Sequence, residues 1–110
     1  MNKPDSFVEF IKDQFDGLRD FTMRRMFGAY GLYLGDAFFG ILDDGELYFK
    51  TSDATVAQYQ SAGSEPFFYY KKDKSGKKKK CFLKNYYGVP LDILENQNEL
   101  KRWAKEAALK

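Results

Sequence analysis

Apolar residues near the start of the chain recur at helical spacing: Phe7, Val8, Ile11 and Phe15, with Glu9, Lys12 and Asp13 between them. A helix of this pattern buries one stripe and leaves the other in water. Ser6 and Glu9 stand at capping-box spacing, in which the serine oxygen meets the N3 amide and the glutamate reaches back. Asp16-Gly17 supplies a stop, so the pattern predicts a helix over residues 6–16. From Arg24 to Lys50 the helical period disappears, and short apolar runs lie between turn signals. Leu34-Gly35-Asp36-Ala37 suits a two-residue hairpin with glycine at the first central position, where positive φ is required. Asp43-Asp44-Gly45 is a second turn, after which Leu47 and Phe49 alternate with Glu46, Tyr48 and Lys50. The segment therefore predicts a three-stranded meander: Ala29 to Leu34, Ala37 to Leu42 and Glu46 to Lys50.

Ser52 or Asp53 can cap a second helix that runs to Ala62 and leaves through Gly63. Its modest apolar content, Val56, Ala57 and Tyr59, predicts a surface position. Pro66 opens an aromatic strand, Phe67 to Lys71, which pairs with a strand from Cys81 to about Tyr86 across a long, basic, mobile loop tipped by Ser75-Gly76. Val89-Pro90 ends that strand, and Asp92 to Glu95 form a short turn. In the last segment Leu100, Trp103, Ala104, Ala107 and Ala108 make a buried helical stripe starting near Asn98. The expected architecture is α+β: a two-layer sandwich with an antiparallel sheet of about five strands, in the order α-β-β-β-α-β-β-α.

With 110 residues, the chain is expected to form a single domain over 1–110. Aromatic residues make up 18% of it, enough large side-chain area to build a core in a short chain. Histidine is absent, which removes histidine triads, histidine general bases and histidine-containing zinc sites. The single Cys81 forms neither an internal disulfide nor a multi-cysteine metal site. The N-terminus lacks the apolar stretch of a signal peptide, and no run reaches the roughly 20 apolar residues of a membrane helix, so a cytoplasmic location is expected. No metal, cofactor or membrane partner is expected.

Charge is concentrated. Between Lys71 and Lys80 lie seven lysines and one aspartate, a net of +6, whereas the rest of the chain nets −4. Lys71, Lys72, Lys74, Lys77, Lys78, Lys79 and Lys80 are candidate contacts for an anionic partner, because clustered ammonium groups neutralise phosphates and release counterions. The bland reading is a solvated hairpin tip that protects a sheet edge. Arg24 and Arg25, at the entry to the sheet, are candidate partner contacts. Neighbours on a strand face opposite ways, so one is expected to pair with a buried carboxylate and the other to meet solvent or a partner. The aromatic wealth of the sheet is a third candidate. Helices cover only one face, and rings on the other can stack bases, hold an apolar ligand or pair with a second copy. The segregation of the lysines from those rings favours a protein surface over base stacking. No Gly-rich phosphate loop is present, and no nucleophile has an evident base, so no catalytic residue is assigned.

The run RRMFGAYGLYLGDAFFGILDDGELYFKTSD, followed later by YYGVPLDIL and ELKRWAKEA, resembles the N-terminal domain family of TfoX/Sxy, bacterial regulators of competence genes. The resemblance extends from Phe7 to about Ala107. It implies a two-layer α/β fold with an antiparallel sheet, and it carries over no catalytic residue. Full-length members act as co-activators with a cyclic-AMP receptor protein type regulator and carry a second, C-terminal domain, so this chain is expected to be the domain standing alone. Gly28 and Gly31 are implied to let the chain bend or pack closely, and Trp103 to anchor the last helix. The lysine loop lies outside the motif. The leading expectation is a non-enzymatic regulatory domain that acts through protein contacts in transcription regulation, with a transcription regulator or a second copy as partner. A nucleic-acid-binding module using the lysine loop is the second reading, and a small-ligand sensor with an aromatic pocket the third.

Overall fold

A computed structural model describes residues 3–26 and 28–109. The elements are α1 (Lys3–Gln14), β1 (Phe21–Met26), β2 (Ala29–Leu34), β3 (Ala37–Asp43), β4 (Glu46–Lys50), α2 (Val56–Ser61), β5 (Pro66–Lys72), β6 (Lys78–Gly88), α3 (Leu91–Leu94) and α4 (Gln97–Ala108). Six strands form one antiparallel sheet in the order β1-β2-β3-β4-β6-β5. The class is α+β, with one strand more than the pattern predicts. That extra strand is β1, in which Phe21 and Met23 alternate with Thr22 and Arg24 before the adjacent arginines blur the period.

Helix α1 begins earlier than the capping-box spacing predicts, so Ser6 lies inside it. Pro4 fits this earlier start, because the first turn of a helix has no intrahelical partner for its N–H. The carbonyls at its C-terminal end are met from the other end of the chain, where Lys101 Nζ donates to Asp16 O at 2.6 Å and Gln97 Nε2 donates to Asp13 O at 3.1 Å, while Gln14 Nε2 donates in return to Leu94 O at 2.7 Å. Helix α4 starts where Asn96 accepts from the Glu99 amide at 3.0 Å. Helix α2 is shorter than expected and has no side-chain cap at Thr55, but it ends as predicted on Gly63, at φ +80°. It is not merely superficial: Tyr59 is completely buried.

Val8, Ile11 and Phe15 from the first helical region, Tyr59 from α2, and Leu100, Trp103, Ala104 and Ala107 from α4 all enter one core. The sheet supplies Leu32, Phe39, Leu42, Leu47 and Phe49 to it. The helices therefore cover a single face. Between β2 and β3 the register slips: Leu32 pairs with Gly40 and Tyr33 with Phe38, leaving Phe39 as the extra residue of a bulge. The bulge turns both Phe39 and Gly40 toward the core and sends Phe38 and Ile41 to the opposite face.

Both tight turns follow their residues. Gly35 has φ +61°, and Asp44 and Gly45 have φ +51° and +77°, as a two-residue hairpin with two left-handed positions demands.

Candidate functional surface

The lysine segment is not a long loop. Lys71 and Lys72 belong to β5 and Lys78, Lys79 and Lys80 to β6, with Lys71 opposite Lys79 and Lys72 opposite Lys78. Only residues 73–77 form the turn. Asp73 organises it: Oδ1 accepts from the Ser75 amide at 2.9 Å, from Ser75 Oγ at 2.6 Å and from the Lys77 amide at 3.0 Å. Gly76, at φ +86°, closes the reversal. These hydrogen bonds, led by that from the Ser75 hydroxyl, hold the Asp73 carboxyl below its ordinary range. A carboxylate depressed in the folded state supports the turn fully above its unfolded pKa, and that support is lost as pH falls through the folded value. We therefore expect the protection of the Ser75 and Lys77 amides, relative to their intrinsic exchange rates, to fall only below about pH 4. In Asp73→Asn the protection of both amides should be weaker and should show no step at that pH.

Because Asp73 is engaged in its own turn, it does not neutralise the lysines. Among the described residues no carboxylate lies within ion-pair distance of any of the seven. The ladder also brings them to aromatic rings. Lys80 Nζ stands 4.2 Å from the centroid of Phe68 and 5.4 Å from that of Phe82. Phe68 pairs with Phe82, and Tyr70 with Lys80, so Phe68, Tyr70, Lys72, Lys78, Lys80 and Phe82 share one face of the hairpin. Phe67, Tyr69, Lys71, Lys79 and Leu83 share the other. Segregation of lysines from rings holds along the chain but not in space.

The arginines also depart from expectation. Both Arg24 and Arg25 are exposed, and no charged residue is buried among the described residues. Instead of a buried carboxylate, each covers a tyrosine: Arg24 lies 4.7 Å from the Tyr33 ring and Arg25 5.6 Å from the Tyr30 ring. They take opposite faces of β1, as strand alternation requires. On the helix-free face Arg24 begins a row of half-buried rings, with Tyr33 5.3 Å from Phe38 and Phe38 5.9 Å from Tyr86. Tyr48, 4.8 Å from Phe67, continues that face toward the hairpin. Gly28 has φ +80° in the β1–β2 turn, and Gly31 pairs with Arg24 and Ile41.

An open cleft of about 570 Å³ lies between the β3–β4 turn and the segment from Gly63 to Phe68. Asp43, Asp44, Glu46 and Glu65 line it beside Tyr48 and Phe67. Burial, then Asp44, raises the Asp43 pKa; burial, then Glu46, Asp43 and Asp44, raises that of Tyr48. No three of the acidic or cysteine side chains among the described residues converge as metal ligands. No described helix is long and apolar enough to cross a membrane.

The architecture defines a small antiparallel α+β domain whose distinctive chemistry is displayed on open surfaces. The family model of the TfoX N-terminal domain matches residues 13–110, and the chain belongs to that family. It is 36% identical over 66 residues to the DNA transformation protein TfoX1 of Aliivibrio fischeri, covering 60% of this chain and 30% of that protein. It is also 36% identical over 90 residues to Protein Sxy of Escherichia coli, covering 79% of this chain and 40% of that protein. The chain thus spans less than half the length of the curated relatives it matches.

Proposed function

We propose that this chain is a non-catalytic regulatory domain of the competence-regulator type that acts in the cytoplasm by docking a transcription regulator protein on the helix-free face of its sheet. The observation that carries the reading is the contiguous row Arg24, Tyr33, Phe38 and Tyr86, half-buried rings bordered by a guanidinium that has no carboxylate partner among the described residues. Rings that retain partial exposure gain by further burial, and aromatic and arginine side chains dominate the energetics of protein contacts. A partner surface with apolar side chains and a bordering carboxylate would complement this row. The membership of the family and the names of its relatives support a role in DNA transformation.

The test is deletion and complementation in the source bacterium, reading transcripts of DNA-uptake genes. Deletion should lower those transcripts and the wild-type gene should restore them. Arg24→Glu and Phe38→Ser, each verified as folded by its melting curve, should restore less than about a fifth, an effect expected of central contact residues. Unchanged transcripts on deletion would overturn the regulatory reading. Full restoration by both folded variants would overturn the assignment of the face.

A further inference from the structure

We propose that the β5–β6 hairpin binds single-stranded nucleic acid, with its lysines on the phosphates and its exposed rings against the bases. Seven lysines lie on or at the turn of one two-stranded ladder, and among the described residues none has an ion-pair partner. That density of uncompensated charge selects a polyanion. The rings select which one. Tyr70 is 60% exposed, Phe82 49% and Phe68 38%, on the face that also carries Lys72, Lys78 and Lys80. On the opposite face Tyr69 is 41% exposed beside Lys71 and Lys79.

A duplex hides the faces of its bases, so exposed rings contribute nothing to holding it, whereas an unpaired strand offers every base for stacking. An acidic peptide would use the lysines but gain little from planar rings at this density. The lysine stems also explain the spacing. Residues two apart on a strand are about 6.6 Å apart on one face, so Lys78 and Lys80 follow one another along a track with Phe82 next. Lys80 stands over Phe68 and Phe82 and covers part of those ring faces, which puts its ammonium on the same face as the open ring of Tyr70. The hairpin is also an edge of the sheet, since among the described residues β5 has β6 as its one neighbouring strand. A flexible strand can therefore wrap it from either face.

The experiment is fluorescence anisotropy with labelled oligothymidylate and oligouridylate of about 20 nucleotides, longer than the roughly 4–16 a small domain covers. A duplex of equal length and poly-glutamate are the comparison probes. Binding of either single strand at least about 10-fold tighter than the duplex is expected, consistent with stacking of one or more bases. Engagement of five to seven lysines predicts a log–log salt slope of about −3.5 to −5 on single strands. Replacing Lys78, Lys79 and Lys80 together by Gln should flatten that slope by about 2. Tyr70→Ala with Phe82→Ala should lose about 10-fold on single strands and leave poly-glutamate unaffected. The single variant Tyr70→Ala, at the most exposed ring of the hairpin, keeps the test valid where the double variant melts early, and should still lose several-fold.

Equal affinity for single strands, duplex and poly-glutamate, with the ring variants silent, would overturn the proposal in favour of generic polyanion adhesion. Absence of binding near about 150 mM salt would overturn it altogether. So would sedimentation showing a dimer that becomes a monomer when Lys78, Lys79 and Lys80 are replaced by Gln, which would make the hairpin a contact between copies.

Discussion

Replacing Trp103 by alanine is expected to cost about 3 kcal/mol of folding stability, the lower end of the range for deleting a buried aromatic. The indole is 6% exposed and meets Tyr59 edge-on at 4.7 Å, joining α4 to α2 across the core. Its removal leaves a cavity against the buried Tyr59 ring, and relaxation around such a cavity is only partial. One effect opposes the loss. Trp103 Nε1 and the Tyr59 hydroxyl are both buried without a hydrogen-bond partner among the described residues. A desolvated, unpaired donor costs about 1–3 kcal/mol, so alanine relieves part of what it destroys. The control follows from the same argument: Tyr59→Phe removes an unpaired hydroxyl without changing the ring, and should leave the melting temperature equal or higher. Urea unfolding of the three proteins decides the matter. A loss below about 1 kcal/mol for Trp103→Ala would mean that this face of α4 is not the one buried.

Gly40→Val is expected to destabilise by a similar amount, about 3 kcal/mol, the upper end for overpacking. A Cβ at residue 40 would stand 2.9 Å from the Tyr48 carbonyl oxygen and 3.1 Å from Phe49 Cδ1. The first of these atoms is backbone in the β3–β4 ladder and cannot rotate away. The second belongs to a ring that is completely buried and packed 5.4 Å from Phe39. The origin of the constraint is the bulge at Phe39, which points two successive residues of β3 at the core. Phe39 fills that space and Gly40 must leave it free. Gly40→Ala should cost less, about 1–2 kcal/mol, because its single methyl meets the same oxygen but makes no second branch. Thermal unfolding of both variants gives the ordering. A stable Gly40→Val protein would show that β3 can shift its register.

These sites also mark where local pattern sufficed and where it did not. Trp103 was legible because Leu100, Trp103, Ala104 and Ala107 repeat at helical spacing, and periodicity alone selects the buried face. Gly35 and Gly45 were legible because two-residue turns require left-handed residues. Gly40 was not, because a bulge is a property of two strands in register and leaves no mark in either one. Tyr59 was misplaced on the surface for a related reason. Helix α2 is too short to show a stripe, and its single buried ring is identified only by the Trp103 and Tyr87 rings around it.

The candidate surfaces divide in the same way. The charge excess at residues 71–80 could be counted from composition, but its extent as a loop could not. Lysine disfavours strands only weakly, and the pairing of Phe68 with Phe82 extends the ladder through residues that alone would not form one. Strand β1 was missed where two adjacent arginines interrupted the alternation, and their expected carboxylate partner was replaced by tyrosine rings on the neighbouring strand.

By itself the sequence determined the α+β class, the antiparallel connections, the helical stripes, the two hairpin turns and the family. Each of these depends on residues within a few positions of one another, or on motifs in fixed order. The tertiary structure alone decided that Arg24 and Arg25 cover tyrosines of the neighbouring strand, that Phe39 and Gly40 both turn inward, and that Lys80 covers Phe68 and Phe82. Each of those juxtapositions joins residues brought together by strand register, and register is settled by the packing of the whole sheet against its core.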